Sequence, residues 1–359
     1  MTPPGEKMTP LGEKLIRRIE NFGPITIADY MAACLGDPEH GYYMAREPFG
    51  VAGDFITAPE VSQIFGELIG LWAVECWRRM GSPDAFVLAE IGPGRGTLMA
   101  DALRAARIAP GFEQAATIVL VETSPRLRAV QNDTLAGHAV RWAERVDDLP
   151  DGPTILLANE FFDALPIRQF LRTPEGWAER MVGLRDGELA FGLRPGARID
   201  GVGDAAPAGA VVEIASISTA IMATLAERLQ RFGGAMLAID YGHAETGYGD
   251  TLQAVRGHRF DHPLAHPGEA DLTVHVDFAA LAKVAAAQHA RASEIWTQGD
   301  FLIALGLLER AGRLGAGKDS ATQDAIRAAV ERLAGPDAMG TLFKVLCVTG
   351  GDLVLPPFG

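Results

Sequence analysis

The sequence predicts an α/β fold with a mostly parallel, twisted sheet, and two observations support this fold class. Short apolar runs alternate with stretches of helical periodicity from residue 85 onward, and a glycine-rich loop joins the first run to the first such stretch. Strands that alternate with helices imply a parallel sheet that is covered on both faces. The runs interpreted as strands lie at 86–91, 118–122, 140–142, 155–158, 236–240, 292–296 and 342–348.

Length and composition are those of a globular protein. The chain has 359 residues, of which 48% are hydrophobic and 22% are charged. A chain of this length can bury a full core, as two domains or as one large domain with insertions. The formal net charge of −14 argues against a nucleic-acid partner, because nucleic-acid binding requires a basic face.

We predict a helical N-terminal lid over residues 1–80 and a core over residues 81–359. Helical periodicity in the lid covers 11–21, 27–35 and 59–80. Three segments of the core do not fit a minimal sheet, and we interpret them as insertions. They are an extended, turn-rich segment at about 166–213, a loop at about 243–275 and a helical segment at about 298–338.

The predicted compartment is the cytoplasm. The three cysteines, Cys34, Cys76 and Cys347, are far apart and form no C-x-x-C motif, which is typical of a reducing compartment. No segment reaches the 18 apolar residues of a membrane span, and the first residues show neither a signal-peptide core nor a transit pattern. The sequence does not predict the oligomeric state.

A glycine-rich loop lies between the first predicted strand and the helix that follows it. The loop contains Gly92, Gly94 and Gly96, and the acidic residue Glu90 precedes it. Glycines permit a tight turn and a close approach of a ligand, and the following helix presents unpaired N–H groups. We therefore predict a nucleotide-type ligand at this loop.

Position 97 distinguishes two classes of nucleotide ligand. A dinucleotide fingerprint requires Gly or Ala there, whereas this chain has Thr97. The arrangement resembles motif I of class I, Rossmann-like, S-adenosylmethionine-dependent methyltransferases, in which the loop passes under the amino-acid part of the cofactor. An NAD-dependent oxidoreductase remains the alternative.

Acidic residues also follow the next two predicted strands. Glu122 ends the second strand, where a carboxylate can accept hydrogen bonds from ribose hydroxyls; the alternative is a surface or helix-capping role. Asp147 follows the third strand and is placed to reach an adenine amine. The residues that we expect to bind S-adenosyl-L-methionine are Glu90, Gly92, Gly94, Gly96, Thr97, Glu122, Thr123 and Asp147.

The segment after the fourth predicted strand is the candidate acceptor site. Amino-directed methyltransferases have Asn/Asp-Pro-Pro-Tyr/Phe at this point, and Asn159 and Phe162 have the same spacing here, with Glu160 and Phe161 in place of the two prolines. Carboxylates suit a guanidinium, which is always cationic and offers a planar fork of donors. Helix capping is the alternative role of these acidic residues. The predicted catalytic residues are Asn159, Glu160, Phe162 and Asp163.

Eleven segments spread over most of the chain match a single family, at 23–26, 30–31, 41–43, 53–63, 65–67, 90–96, 159–166, 240–242, 271–273, 275–278 and 298–302. Taken together, they resemble the MidA-type methyltransferases, whose mitochondrial members are complex I assembly factors. The resemblance implies an S-adenosylmethionine-dependent protein arginine methyltransferase. It also implies a protein substrate, the iron–sulfur subunit of NADH dehydrogenase. A non-catalytic assembly chaperone on the same fold is the second alternative.

The segment 53–63 has the pattern of a loop that enters a helix, with Thr57 as the N-cap. As part of a lid it would bring Asp54, Glu60 and Gln63 toward the acceptor; the alternative is a capped surface helix. No role is assigned to Arg95.

Four histidines form a further group without an assigned role. His258, His262 and His266 are spaced by four residues, and His275 follows them. The glycines and prolines between them argue against a shared helix face, so we predict no metal site.

Overall fold

The computed structural model describes residues 8–45, 57–199 and 206–358, which belong to two compact units. The first unit comprises the described parts of 1–55, 163–218 and 246–275, and the second comprises those of 56–162, 219–245 and 276–359. The boundary predicted at residue 80 therefore does not coincide with the division between these units. None of the helices in the described ranges is long and apolar enough to cross a membrane.

The described residues contain runs of successive helices and of successive strands as well as stretches in which the two alternate. In chain order the helices are α1 (Pro10–Phe22), α2 (Ile27–Gly36), α3 (Tyr42–Ala45), α4 (Ala58–Val61), α5 (Gln63–Arg79), α6 (Thr97–Ala106), α7 (Phe112–Ala115), α8 (Pro125–Thr134), α9 (Ser216–Phe232), α10 (Phe278–Ala287), α11 (Gln298–Ala304), α12 (Leu307–Gly315), α13 (Ser320–Ala334) and α14 (Met339–Leu342). The strands are β1 (Ile25–Thr26), β2 (Phe86–Ile91), β3 (Ala116–Val121), β4 (Val140–Ala143), β5 (Thr154–Asn159), β6 (Arg168–Thr173), β7 (Gly176–Arg185), β8 (Glu188–Pro195), β9 (Val211–Ile214), β10 (Gly234–His243), β11 (Gln253–Arg256), β12 (Arg259–Asp261), β13 (Asp271–Thr273), β14 (Val276–Asp277), β15 (Arg291–Ala292), β16 (Trp296–Thr297) and β17 (Phe343–Thr349).

The second unit is built on a nine-stranded sheet with the order β15-β17-β10-β5-β2-β3-β4, to which β14 and β16 add at β10 and β17. The strands from β10 to β4 pair in parallel, whereas β17 pairs antiparallel with β10. Every residue of β2 and β5 is buried, as expected of central parallel strands that helices cover on both faces. The predicted α/β class with a mostly parallel sheet is confirmed.

The predicted long helix at 59–80 is divided in two at Ser62. This residue is extended, with φ −162°, and its hydroxyl accepts a hydrogen bond from the Ile64 N–H at 3.3 Å, which starts α5. Thr57 occupies the N-cap position of α4, although its side chain makes no capping hydrogen bond.

Helix α5 belongs to the second unit because it packs closely on α6. A Cβ atom on Gly66 would lie 2.5 Å from the Asp101 Cβ, and one on Gly70 would lie 2.4 Å from the Ala102 carbonyl oxygen. Only glycine permits so close an approach of the two helix backbones. Residues 63–79 therefore form part of the helical cover of the sheet.

The first unit contains two smaller antiparallel sheets. One has the order β1-β7-β6-β9, with β8 on β7, and it includes the segment predicted to be extended at 166–213. The other, with the order β12-β11-β13, lies within 243–275, which we predicted to be a loop. These strands have only three or four residues, so no alternating pattern marks them in the sequence. Helices α1 and α2 contribute Leu15 and Met31 to the core of this unit.

Candidate active site

The glycine loop at the carboxyl end of β2 has a backbone conformation with positive φ angles, which residues other than glycine rarely adopt. Gly92, Gly94 and Gly96 have φ values of 63°, 52° and 82°, and Gly96 is the N-cap of α6. A Cβ atom on Gly92 would lie 2.9 Å from the Phe161 Cδ2. Glycine is therefore required there both by the left-handed backbone and by the aromatic ring packed against it.

Glu90 is a buried acid immediately before this loop. Its side chain lies on β2, where the residue is only 3% exposed, and burial raises its pKa to about 8, although the Met99 backbone N–H opposes this shift. Among the described residues its Oε2 has no hydrogen-bond partner. A buried carboxyl oxygen without a partner beside a glycine loop can bind a polar group of a ligand.

Glu122 follows β3 and is tied to the same loop. Its Oε1 accepts a hydrogen bond from the Ser124 N–H at 2.8 Å, and its Oε2 accepts one from the Gln131 Nε2 at 3.2 Å. The same Gln131 amide donates to the Gly94 carbonyl oxygen at 2.8 Å. Burial raises the pKa of Glu122, whereas the Ser124 N–H and then the Gln131 amide oppose this shift.

Sequence reasoning missed Gln131, which the structure places between two predicted cofactor residues. It is fully buried on α8, and its Oε1 accepts a hydrogen bond from the Trp142 indole N–H at 2.8 Å. A glutamine in a polar helix gives no sequence signal of this position. The predicted residues Thr123 and Asp147 are less constrained: both are exposed, and Asp147 pairs with Arg145 at 3.1 Å. Their cofactor roles stay predictions.

The segment after β5 turns sharply at Glu160, whose φ of 50° is rare for a residue other than glycine. The Oε1 of Glu160 accepts hydrogen bonds from the Asn159 Nδ2 at 3.1 Å and from the Ala58 N–H at 3.0 Å. The Oδ1 of Asn159 is buried and has no hydrogen-bond partner in the part of the chain that the structure describes. These two side chains thus present acceptor atoms at the end of a central strand.

Asp240, on the neighbouring strand β10, holds this turn in place. Its Oδ2 accepts hydrogen bonds from the N–H groups of Phe161 and Phe162 at 3.1 and 3.0 Å, and its Oδ1 accepts one from the Tyr241 N–H at 2.9 Å. The residue is 0% exposed. The resemblance included the segment 240–242 without a role, and the structure shows that its carboxylate organises the backbone around Glu160.

The two phenylalanines of the turn have different surroundings. Phe162, one of the predicted catalytic residues, is only 2% exposed, and its ring meets that of Phe161 edge to face at 5.2 Å. Phe161 is the ring that contacts the glycine loop at Gly92. The catalytic role of Phe162 stays a prediction.

The three predicted lid residues differ in where the structure places them. Asp54 lies outside the described residues. Glu60, on α4, accepts a hydrogen bond from the Thr97 hydroxyl at 3.4 Å and pairs with Arg95 at 3.8 Å, so it lies at the glycine loop. Gln63 donates to the Glu67 Oε1 at 3.3 Å. The ion pair with Glu60 is an observed contact for Arg95, to which the sequence assigned no role.

Asp163 begins the segment 163–218, which belongs to the first unit. It is buried, and its carbonyl oxygen accepts a hydrogen bond from the Val274 N–H at 3.0 Å. In the same unit the Tyr43 hydroxyl donates to the Asp271 Oδ1 at 3.1 Å. Burial raises the pKa of Tyr43, as do the charges of Asp271 and Asp163. The catalytic role of Asp163 stays a prediction.

The histidines of the first unit are not arranged as a metal site. His266 is buried and contacts Asp261 through its Nδ1 and Arg256 through its Nε2. Because arginine can only donate, Nε2 is the acceptor and Nδ1 carries the proton. His258 lies in a turn with φ 60°. Within the described ranges, no group of three or more His, Cys, Asp or Glu side chains could hold a metal ion.

Comparison with known proteins finds a family model, curated relatives and solved structures that match this chain. The model of a family described as S-adenosyl-L-methionine-dependent methyltransferases matches residues 68–295. Two curated relatives are named protein arginine methyltransferase NDUFAF7, mitochondrial: that of Danio rerio is 36% identical, with 93% of this chain and 85% of the relative covered. That of Mus musculus is 37% identical, with 94% and 84% covered.

A solved structure from Burkholderia thailandensis is similar over nearly its whole length. It is described as a candidate methyl transferase bound to S-adenosylhomocysteine, and it is 30% identical to this chain with a TM-score of 0.82. The alignment covers 94% of this chain and 91% of the other. A native structure from the same organism gives a TM-score of 0.81 at 29% identity.

The predicted cytoplasmic location is wrong by this comparison. The curated relatives from Danio rerio, Mus musculus and Homo sapiens are all named mitochondrial proteins. The prediction depended on the dispersed cysteines and on the absence of an apolar span and of a recognisable targeting pattern, and none of these defines a compartment.

Proposed function

The chain belongs to the family of S-adenosyl-L-methionine-dependent methyltransferases, and we propose that it methylates an arginine side chain of a protein. The resemblance stated from the sequence is confirmed, as is the predicted cofactor, S-adenosyl-L-methionine. An NAD-dependent oxidoreductase, the first alternative, does not agree with this family. The arginine specificity is inferred from the names of the relatives and from the acceptor residues of this chain.

The residues around the glycine loop fit the cofactor. The Oε2 of Glu90 is buried without a partner and can accept a hydrogen bond from a ligand, and Glu122 offers a second carboxylate at the next strand end. When bound, the cofactor would supply an electrophilic methyl carbon on a sulfonium, and transfer of the methyl group would break its carbon–sulfur bond and leave a neutral thioether. The chain's contribution is to place these two acidic side chains and the left-handed glycines where a cationic nucleoside can be bound without a side-chain clash.

The observation that carries the arginine proposal is the pair of acceptors at the end of β5. The buried Oδ1 of Asn159 lacks a hydrogen-bond partner among the described residues. The carboxylate of the next residue, Glu160, accepts a hydrogen bond from the Nδ2 of the same asparagine. A guanidinium has five N–H donors and no acceptor, so it complements an amide oxygen and a carboxylate together.

In the proposed mechanism Glu160 binds the guanidinium and orients one of its nitrogens. Asn159 accepts a second N–H, and the hydrogen bonds that Asp240 accepts from the turn keep both side chains in place. The nitrogen that gains the methyl group loses a proton, and the carboxylate of Glu160 accepts it. Catalysis of this kind consists mainly of positioning and electrostatic stabilisation. Asp163 remains a second predicted carboxylate for this role.

For the protein substrate, we infer an arginine in the iron–sulfur subunit of NADH dehydrogenase. The support is the resemblance to the MidA-type family through the segments 53–63 and 159–166. The cofactor chemistry itself would serve any accessible arginine, so this choice of partner has to be tested directly.

The experiment is transfer of a labelled methyl group from S-adenosyl-L-methionine to the isolated iron–sulfur subunit, with the modified residue located by mass spectrometry. We expect label on arginine, and a loss of about 100-fold or more with Glu160→Gln. The matched control is Glu75→Gln, which only breaks an ion pair with Arg79 on α5. Binding of the subunit without transfer of label would instead support the assembly chaperone.

A further inference from the structure

The short helix α4 contacts two parts of the candidate site at once. Its first residue, Ala58, donates a backbone N–H to the Glu160 carboxylate at 3.0 Å. Its third residue, Glu60, accepts a hydrogen bond from the Thr97 hydroxyl at 3.4 Å and pairs with Arg95 at 3.8 Å. One end of α4 therefore contacts the proposed acceptor side and the other contacts the cofactor loop.

The two contacts are linked by a short and constrained stretch of backbone. Pro59 lies between Ala58 and Glu60, and its ring limits the backbone φ angle. The N–H groups of Glu60 and Val61 both donate to the Thr57 carbonyl oxygen, at 2.9 and 3.1 Å. Ala58 and Pro59 are also buried. A displacement of Glu60 is therefore expected to move the Ala58 N–H with it.

We propose that α4 couples the cofactor loop to Glu160 and that Glu60 is the positioning residue in this coupling. A ligand that orders Arg95 and Thr97 favours the bound position of Glu60, and this in turn keeps the Ala58 N–H on the Glu160 carboxylate. The inference rests on the proposed function, because it describes how cofactor binding prepares the acceptor site. Coupling between two binding events is reciprocal, so an arginine ligand should also tighten cofactor binding.

The contacts of Glu60 suit a coupling role better than a stabilising one. The Arg95 and Glu60 side chains are 42% and 16% exposed and their charged atoms are 3.8 Å apart, and so long and partly exposed an ion pair contributes little to stability. Replacing Glu60 should therefore leave the fold intact while it weakens the link between the loop and α4. This makes the proposal testable in the intact protein.

The test is hydrogen exchange of the segment 57–66, measured by mass spectrometry with and without S-adenosylhomocysteine. In the unmodified chain the ligand should slow exchange of the α4 amides by about fivefold or more. In Glu60→Gln the ligand should still bind, with a Kd raised by about threefold to tenfold, but the slowing at α4 should disappear. Glu75→Gln, on the neighbouring helix, should behave like the unmodified chain.

Two results would overturn the coupling: an unmodified chain that binds the ligand without slower exchange at α4, or a Glu60→Gln variant with the same slowing. If Glu60→Gln does not fold, Arg95→Met removes the opposite partner and should give the same loss. Failure of the proposed function is distinguishable, because it would appear as an absence of methyl transfer to arginine while the exchange response to the ligand remained.

Discussion

The side-chain amide of Gln131 donates a hydrogen bond to the carboxylate of Glu122 at 3.2 Å. The same nitrogen also donates to the Gly94 carbonyl oxygen at 2.8 Å, so one buried side chain holds two parts of the candidate cofactor site. The orientation of the Glu122 carboxylate toward a ligand therefore depends on a residue of α8 that need not contact the ligand.

Replacing Gln131 by leucine should weaken cofactor binding. The change removes these two hydrogen bonds and the one that Gln131 accepts from the Trp142 indole. It leaves the Glu122 carboxylate with fewer donors, and hydrogen bonds to charged groups contribute about 1.5–3 kcal/mol. We expect the Kd for S-adenosylhomocysteine, measured by calorimetry, to rise about tenfold or more. The control is Gln114→Leu on the exposed face of α7. Equal affinities of the two variants would contradict this arrangement.

Replacing Gly92 by alanine should lower the free energy of unfolding by more than backbone strain alone would. Both Gly92 and Gly187 have positive φ, of 63° and 81°, but only at Gly92 would a Cβ meet another group, the Phe161 ring at 2.9 Å. Gly187→Ala, with nothing within 4 Å, should lose roughly 1–2 kcal/mol of unfolding free energy. Gly92→Ala should lose that amount and more in urea unfolding, and it should also bind S-adenosylhomocysteine more weakly. A cost no larger than that of Gly187→Ala would argue against the close packing.

The parts of the fold that could be predicted from sequence are those with a strong local pattern. The central strands β2 and β5 are continuous apolar runs, and a helical stretch follows the glycine loop. The candidate residues at strand ends follow from this, because the carboxyl ends of parallel neighbours meet at one edge of a sheet. Glu90 and Glu122 could be named from chain position alone.

The rest depends on contacts between residues distant in sequence. Gln131 and Asp240 are polar residues whose burial is set by tertiary packing, so no local pattern marks them. The apolar run at 292–296 was predicted as one strand but forms β15 and β16 separately. Ser293 interrupts it by accepting a hydrogen bond on its hydroxyl from the Cys347 N–H at 3.0 Å. Such interruptions appear only when the partner strand is in place.

The buried acid Glu90 should make stability depend on pH. Its folded-state pKa is raised to about 8, above its value in an unfolded chain, so the folded state holds more protons between about pH 4.5 and 8. Stability is therefore highest at the acidic end of this window and falls as the pH rises through it, by up to about 1.4 kcal/mol per pH unit. Glu90→Gln should remove this slope.

The measurement for Glu90 is urea unfolding at several pH values between 5 and 8 without added ligand. The difference in unfolding free energy between the Glu90→Gln variant and the unmodified chain should grow with pH. Glu75→Gln, whose parent residue forms a surface ion pair with Arg79, should leave the profile unchanged. Parallel profiles for the Glu90 variant and the unmodified chain would show that this carboxyl is not the titrating group.

Asparagine at position 240 should disturb the turn that carries Glu160. The Asp240 carboxylate accepts hydrogen bonds from the N–H groups of Phe161, Phe162 and Tyr241, and an amide can offer only one of its two terminal atoms as an acceptor. Because the site is fully buried, the displaced donors would lose their partners, at a cost of about 2–4 kcal/mol in unfolding free energy.

The same variant separates positioning of the acceptor from binding of the cofactor. If Asp240 acts through the turn at Glu160, Asp240→Asn should lower kcat for methyl transfer by about tenfold or more, whereas its Kd for S-adenosylhomocysteine should change less. Asp324→Asn, at an exposed position of α13, is the matched control and should change neither quantity. A loss of cofactor binding equal to the loss of kcat would indicate that Asp240 supports the whole strand edge rather than the acceptor turn.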